Sequence, residues 1–379
     1  MSLLDDVSIV VTPNGYKAGE LYAVIPSDGA ADMDVTRATD ATRVDENGLV
    51  EKLGANVPRI DYTGGGCPHI LAEPQRTNLI TYSEDFSNAA WSKLGSAEVI
   101  ADTTISPDGT LNADSFSFTT STSDKIQQTV TVVASQQYTV SCYIKSDSNI
   151  TIKMGGAAAS TPINVTTEWV RHTVTQTNGA GTTAYPQLSS NGTAGTVHIY
   201  GFQLEQGSYP TSYIPTNGEA GGVTRNQDIF TRDGIGSLIN STEGVLFVEM
   251  AALANDGTYR TLSISDGTTA NRVAIRYKSS VNEMQVFVVA LGATQVILTK
   301  TGLTITDFNK VAIKWKLNDF SFWINGVEVD TDLSGSVPVG INSLNFNSGV
   351  NTNDFFGKVR QLQVYDTALT DEQLEALTT

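Results

Sequence analysis

The sequence predicts an all-β chain made of two β-sandwiches preceded by an extended N-terminal arm. Three observations carry this. Apolar and polar residues alternate over short stretches at period two, the pattern of a half-buried strand. Clusters of Gly, Asn and Ser separate those stretches at fairly regular spacing, as turns do. Helix-forming runs are nearly absent. A length of 379 residues suits two or three domains, and a hydrophobic fraction of 40% supplies real cores.

Residues 1–75 read as the arm. Apolar pieces at 7–11 and 21–25 are broken by Pro13, Gly15, Pro26 and Gly29, and Tyr62-Thr-Gly-Gly-Gly-Cys-Pro68 is a turn cluster that no helix survives. Such a segment cannot bury a core of its own and must dock on another surface. Residues 76–215 read as the first sandwich, with strands at 125–133, 138–145, 169–177 and 196–204. Within the second of these, Tyr138, Val140 and Cys142 alternate with Thr139, Ser141 and Tyr143. Pro210 and Pro215 close the segment. Residues 216–240 are a polar, Gly-rich linker. An echo joins Asp34-Val-Thr-Arg-Ala-Thr-Asp40 to Gly222-Val-Thr-Arg-Asn-Gln-Asp228, and shared turn chemistry accounts for it.

Residues 241–379 are the second sandwich, with strands at 245–253, 260–265, 272–278, 283–290, 294–299, 310–317, 320–325 and 357–365. Val311, Ile313, Trp315 and Leu317 share one face. Asn318-Asp319 and Asn325-Gly326 are two-residue hairpin turns, since these residue types tolerate positive φ. A short helix closes the chain, with Thr370 as its cap, Gln373 completing a capping box, and Leu374 and Leu377 facing the sandwich.

Forty acidic residues against 23 basic ones leave a net charge of −17. Nucleic acid and anionic membranes demand the opposite sign, whereas a soluble particle surface tolerates it. No apolar run reaches the ~18 residues of a membrane-spanning helix. The opening Met1-Ser-Leu-Leu-Asp-Asp6 lacks the basic start and apolar stretch of a signal peptide, so synthesis in a cytoplasm is expected. There, Cys67 and Cys142 are not expected to pair.

Two family resemblances follow from the residues. Phe308-Asn-Lys-Val-Ala-Ile-Lys-Trp315, Phe322-Trp-Ile-Asn-Gly-Val-Glu-Val329, Phe356-Gly-Lys-Val-Arg-Gln-Leu-Gln-Val-Tyr365 and Ala368-Leu-Thr-Asp-Glu-Gln-Leu-Glu-Ala-Leu377 make the last third similar to the laminin G-like, concanavalin A-like lectin fold. Tyr138-Thr-Val-Ser-Cys-Tyr-Ile-Lys145, Thr167-Glu-Trp-Val-Arg171 and His198-Ile-Tyr-Gly-Phe-Gln-Leu-Glu-Gln-Gly207 make the middle unit resemble a carbohydrate-binding-module jelly roll.

A third resemblance spans the chain. Val35-Thr-Arg-Ala-Thr-Asp-Ala-Thr-Arg43, Leu71-Ala-Glu-Pro-Gln-Arg-Thr-Asn-Leu79, Tyr82-Ser-Glu-Asp-Phe86 with Trp91, and Tyr209-Pro-Thr-Ser-Tyr-Ile-Pro215 are similar to segments of bacteriophage tail and head fibre proteins. This likeness implies a virion-surface protein, a homotrimer, and attachment to other virion proteins through the arm.

Catalytic patterns are mostly missing. Glycosidases need two carboxylates across a cleft. Glu328-Val-Asp-Thr-Asp332 has the first two acids of the Glu-x-Asp-x-x-Glu of concanavalin-like glucanases, but Leu333 stands where the third belongs. A polar hairpin edge explains it. Ser237 follows Gly236 without the second glycine of a nucleophile elbow. Gly64-Gly65-Gly66 has no Lys-Ser or Lys-Thr after it. His69 reads as a loop residue, and His172 and His198 as strand residues. Asn255-Asp256-Gly257 and Ser265-Asp266-Gly267 leave room for a structural calcium, though Asp-Gly pairs turn without one. No cofactor is expected.

Sugar faces stack on aromatic rings. Phe320, Phe322 and Ile324 take the inward face of their strand, leaving Trp323 outward with Ser321. Trp323, Trp169 and Tyr185 are therefore the candidate carbohydrate-binding residues, and Trp91 plugs a sandwich edge. The resulting expectation is a non-catalytic phage adhesin contacting host glycan. The alternatives are a purely structural decoration or collar component, and a polysaccharide depolymerase.

Overall fold

The computed structural model describes residues 6–379. The first five residues of the expected arm lie outside the described residues. The chain forms two compact units whose segments alternate along the sequence. One unit gathers Met1–Ala38, Gly54–Pro74 and Gln227–Thr379; the other gathers Thr39–Leu53 and Gln75–Asn226. The sequence suggested four consecutive segments instead. The chain passes from unit to unit four times, and the alternation of one strand does not say which distant strand it will pair with.

In the first unit, one sheet runs from Ala293–Thr301 through Glu283–Ala290, Arg272–Tyr277, Arg260–Ser265, Ser343–Asn345, Ile229–Asp233, Met33–Thr36, Glu20–Ile25, Val7–Lys17, Gly357–Tyr365, Glu243–Ala252, Asn309–Lys316 and Asp319–Ile324 to Val327–Asp332. It folds over a shared core. Leu246, Val248, Ile313, Trp315 and Phe322 from one layer pack in a single cluster with Leu262, Ile264, Val273, Ile275 and Val286 from the other.

The leading segment is part of this sandwich. Val7–Lys17 pairs with Glu20–Ile25 on one side and Gly357–Tyr365 on the other, with Val10 opposite Gln363. Ile9, Val11, Leu21, Met33 and Val35 enter the main core. The segment does need a borrowed surface, and this chain's own sheet supplies it. A strand with a partner on each side is part of the sheet, which corrects the expectation of an extended arm. The expected linker is structured too. It contains Val223–Arg225, paired with Arg76–Asn78, and Ile229–Asp233, paired with Met33–Thr36 and Ser343–Asn345.

Strands 260–265, 283–290 and 357–365 fall where alternation put them. One hairpin is shifted: Lys316 pairs with Asp319, so the turn is Leu317-Asn318, with Asn318 at φ 58°, and Leu317 is exposed instead of continuing the strand face of Val311, Ile313 and Trp315. Asn325-Gly326 turns as expected, at φ 50° and 79°. The helix Asp371–Thr378 carries the full Thr370–Gln373 capping box, and Leu374 is fully buried.

The second unit is a sandwich of two five-stranded antiparallel sheets. One orders Glu98–Ile105, Leu111–Phe118, Gly195–Gln206, Gln137–Lys145 and Val170–Thr177. The other orders Thr161–Val165, Ile150–Gly155, Gln187–Ser190, Lys125–Gln127 and Ser92–Leu94. Tyr138, Val140, Cys142 and Ile144 point into the core, with Trp91, Phe116, Ile152 and Phe202. Trp91 lies tilted against Phe86 and edge-on to Phe202 and gives its indole N–H to the Tyr82 carbonyl at 2.8 Å. Cys142 is buried, Cys67 is exposed, and both are free thiols.

The sequence echo marks two of the points where the chain changes unit, and turn chemistry does not explain it. Its arginines, Arg37 and Arg225, are both fully buried. Within the first unit, Arg37 Nη1 donates to Asp228 Oδ1 at 2.8 Å, joining the arginine of one copy to the aspartate of the other. Arg59 bridges the second Asp228 oxygen and Glu73, the latter at 2.6 Å.

Candidate functional site

The structure does not bring the three aromatic candidates together. Trp323 stands on the outward face of its strand, as the alternation requires, but it is only 6% exposed. Leu369 and Leu374 from the terminal helix region, together with Val7, Val245 and Phe247, pack around it, and its indole N–H donates to Ser321 Oγ at 3.1 Å. A ring covered by a helix is packing and offers no platform to a sugar. That corrects the expectation for Trp323.

Trp169 is half-buried beside Val50, Tyr200 and Tyr213. Its indole N–H reaches the Ile105 carbonyl at 3.1 Å, and Lys145 Nζ lies 5.2 Å from its ring centre. Tyr185 is the exposed one, at 48%. It follows Thr183–Ala184, and its backbone N–H binds the Gly156 carbonyl at 2.9 Å, which fixes the main chain beneath a projecting ring.

Sequence reasoning missed a cleft in the second unit. About 550 Å³ in volume, it is lined by five carboxylates, Glu84, Asp85, Asp102, Asp114 and Glu219, and one cation, Lys52. Asp114 projects from Leu111–Phe118. Its oxygens accept the backbone N–H of Phe86 at 2.9 Å and of Asp102 at 3.0 Å. Burial pushes its carboxyl up to about 6; those two bonds oppose the rise, and Asp102 and Asp85 add to it.

Glu84 Oε1 accepts the Tyr213 hydroxyl at 2.8 Å and lies 3.3 Å from that of Tyr200, which also reaches Asp108 at 3.0 Å. Burial raises the Glu84 carboxyl as well, against those two hydrogen bonds. Burial of the phenols, reinforced by the neighbouring Glu84, keeps Tyr200 and Tyr213 un-ionised.

Three sequence motifs build this assembly. Ser83 and Glu84 come from Tyr82-Ser-Glu-Asp-Phe86 and Tyr213 from Tyr209-Pro-Thr-Ser-Tyr-Ile-Pro215. The Ser83 and Tyr213 hydroxyls meet at 2.6 Å, and Ser83 Oγ takes the Thr216 N–H at 2.8 Å. Asn78 of the Leu71–Leu79 motif donates to the carbonyls of Phe202 and Ile214 and accepts the Leu204 N–H at 3.1 Å. These residues clasp distant loops. The best signal in the sequence was a run of polar types too specific for solvent exposure alone.

Other candidates resolve into structure. Asp266 accepts from the Thr268 N–H and hydroxyl and from Asn271 Nδ2, and Asp256 accepts from Arg260 and the Thr258 N–H. Both are turn carboxylates bonded within their own loops. No group of three or more His, Cys, Asp or Glu side chains among the described residues is arranged to hold a metal. Glu328, Asp330 and Asp332 lie on the edge strand Val327–Asp332.

His69 is no loop residue. It begins the strand His69–Ala72, is buried, and lies 3.4 Å from Asp61. Burial pushes its pKa down to about 4, partly offset by Asp61. His172 and His198 do lie in strands, and burial lowers His172.

Residues 247–375 match the family model of the concanavalin A-like lectin/glucanases superfamily. No curated protein matches the chain. Among solved structures, the chain is similar to the CBM40 of the Ruminococcus gnavus IT-sialidase bound to α2,3-sialyllactose. That likeness has 17% identity and a TM-score of 0.30, over 37% of this chain and 84% of the other. It is also similar to the CBM22-1 xylan-binding domain of Paenibacillus barcinonensis Xyn10C, with 13% identity and a TM-score of 0.26, over 36% and 94%. The tandem CBM22-1–CBM22-2 of the same enzyme matches at 11% identity and a TM-score of 0.28, over 77% and 98%.

Proposed function

We propose that this chain is a non-catalytic glycan-binding protein on the surface of a tailed-phage virion, a tail or head fibre or appendage. The observation that carries the glycan reading is the lectin-superfamily match over residues 247–375, embedded in a sandwich with a continuous core. The exposed Tyr185 and the polar cleft of the second unit supply groups that sugars use, a ring face and hydroxyl acceptors. The likeness of residues 35–43, 71–79, 82–86 and 209–215 to phage fibre proteins supports the virion setting. A homotrimer fits the same likeness, and many copies on one particle turn weak single sites into firm attachment.

Chemistry on the bound glycan is not part of this reading. Both oxygens of Asp114 hold backbone N–H groups and Glu84 is held by phenol hydroxyls, so each carboxyl has a structural task. A second reading, a structural decoration or collar component, draws support from the covered Trp323.

The test is cell labelling. Fluorescent protein binds host cells, and mild periodate oxidation of the surface glycans abolishes that binding. Antibody against the chain decorates purified virions. Folded protein that labels no host cells favours the structural reading, labelling that survives periodate removes the glycan reading, and virions without antibody remove the phage setting.

A further inference from the structure

The outward face of the layer containing Arg272–Tyr277 and Glu283–Ala290 carries an unusual charge arrangement. Val273, Ile275, Val286 and Val288 point into the main core, while Ala274, Phe287 and Val289 form a small separate cluster on the other face. Two guanidinium groups cover Phe287. The Arg272 Cζ lies 5.0 Å from the ring centre and the Arg276 Cζ 4.5 Å, so the two are no farther apart than those distances together. Arg276 also lies 5.0 Å from the Tyr259 ring.

What is missing is a counter-charge. Several sheltered cations of this chain are paired with acids: Arg37 with Asp228, Arg59 with Glu73, Arg260 with Asp256, and Lys314 with Asp319. Among the described residues, no carboxylate pairs with Arg272 or Arg276; beyond burial, the influences on them are Arg276's own charge on Arg272 and the Tyr259 phenol on Arg276. The neighbouring Glu283 is already held by Lys278 at 2.6 Å.

The hydrogen bonds are incomplete as well. Arg272 gives Nη1 to the Ser348 carbonyl, while its Nε is buried without an acceptor. Arg276 spends Nε and Nη2 on Gln285 Oε1. Arg272 Nη2 and Arg276 Nη1 have no acceptor among the described residues.

Packing over Phe287 needs only the methylene stems of these side chains. Two like charges, each partly desolvated and stacked on one ring, cost free energy that an anion would offset. A chain with a net charge of −17 had many acids with which to neutralise them and left this face positive.

We propose that Arg272 and Arg276 bind the carboxylate of an acidic sugar residue, with the exposed Ile297 beside Phe287 meeting the sugar's apolar face. The planar guanidinium forks match a carboxylate. The inference rests on the glycan-binding reading and specifies the class of glycan.

Calorimetric titration of the whole chain tests it. The probes are oligogalacturonate, oligomannuronate and a sialylated trisaccharide, each alongside its methyl ester, which keeps the sugar and removes the charge. At least one acid binds, and its ester binds at least about tenfold more weakly. Raising the salt concentration weakens the wild-type interaction, a readout that needs no variant. Arg272→Gln and Arg276→Gln, checked for an unchanged melting temperature, each lower affinity about tenfold, and Arg276→Lys recovers part of the loss.

Acid and ester bound alike, with no change in the Gln variants, overturn this site and leave the glycan reading intact. A folded chain that binds no glycan of any kind overturns both. A polyglutamate peptide that binds with the same arginine dependence, where the sugars do not, shows that the partner is an acidic protein and overturns the saccharide assignment.

Discussion

Replacing Asp228 by alanine removes a carboxylate that touches both buried arginines of the first unit's charge cluster. Its Oδ1 accepts from Arg37 Nη1 at 2.8 Å; its Oδ2 accepts from Arg59 Nη2 and, at 2.9 Å, from the Glu73 N–H. After the change, Arg37 and Arg59 lose the buried carboxylate they share. Breaking a buried ion pair from one side costs about 3–5 kcal/mol. Against a total stability of roughly 5–15 kcal/mol, that is a large share, and for a unit of this size it lowers the melting temperature by about 6–20 °C. Asp228→Asn keeps acceptor capacity but loses the charge, so it falls between wild type and alanine. The assay is urea unfolding followed by near-ultraviolet circular dichroism. A loss under about 1 kcal/mol for Asp228→Ala would refute the reasoning, because it would mean that water already reaches Arg37 and Arg59.

Trp323→Ala opens a cavity under the terminal helix and costs about 3–5 kcal/mol, measured by chemical unfolding, while the protein that remains folded keeps its glycan affinity. Tyr185→Ala changes stability by less than about 0.5 kcal/mol but weakens glycan binding about three- to tenfold in titration calorimetry, the value of one stacked ring. Deleting residues 1–17 strips strands Glu20–Ile25 and Gly357–Tyr365 of their shared neighbour, and hydrogen exchange in both should rise sharply while exchange in the second unit's sheets stays as it was. His69 has a folded pKa of about 4, below the ordinary 6.5. Between those values the unfolded chain takes up a proton that the folded chain refuses, so this contribution is complete above pH 6.5 and fades as pH falls toward 4, by at most roughly 3 kcal/mol. Asp114, raised to about 6, works the other way below that pH. Comparing wild type with His69→Gln by urea unfolding across pH 4–7 isolates the histidine, and a difference that stays flat with pH contradicts the assignment.

Much of the strand content was legible because period-two alternation is local. Strands 260–265, 283–290 and 357–365 needed only their own residues to be placed, and the Thr370–Gln373 capping box lies within four positions. Partners were not legible. Nothing in residues 7–17 announces that Gly357–Tyr365 will lie beside them, and nothing near Trp323 announces that a helix some fifty residues onward will cover it. Alternation chose its face correctly and could not report what sits on that face. Leu317 was placed on the strand face of Val311, Ile313 and Trp315 because the turn was set one residue late; Asn318 takes the left-handed conformation with Leu317 as its turn partner. The acidic cleft joins residues 84, 102, 114 and 219, each ordinary in its own segment. The Arg37–Asp228 pair was half visible as an echo, and only folding shows that arginine and aspartate from different copies meet.

The most direct test of the account is a saccharide array probed with the intact chain, with the eluate assayed for new reducing ends. The account predicts saturable retention on a defined set of surface polysaccharides and no sugar released. A well-folded sample that sticks to none of them, or one that frees reducing sugar from those it touches, contradicts it.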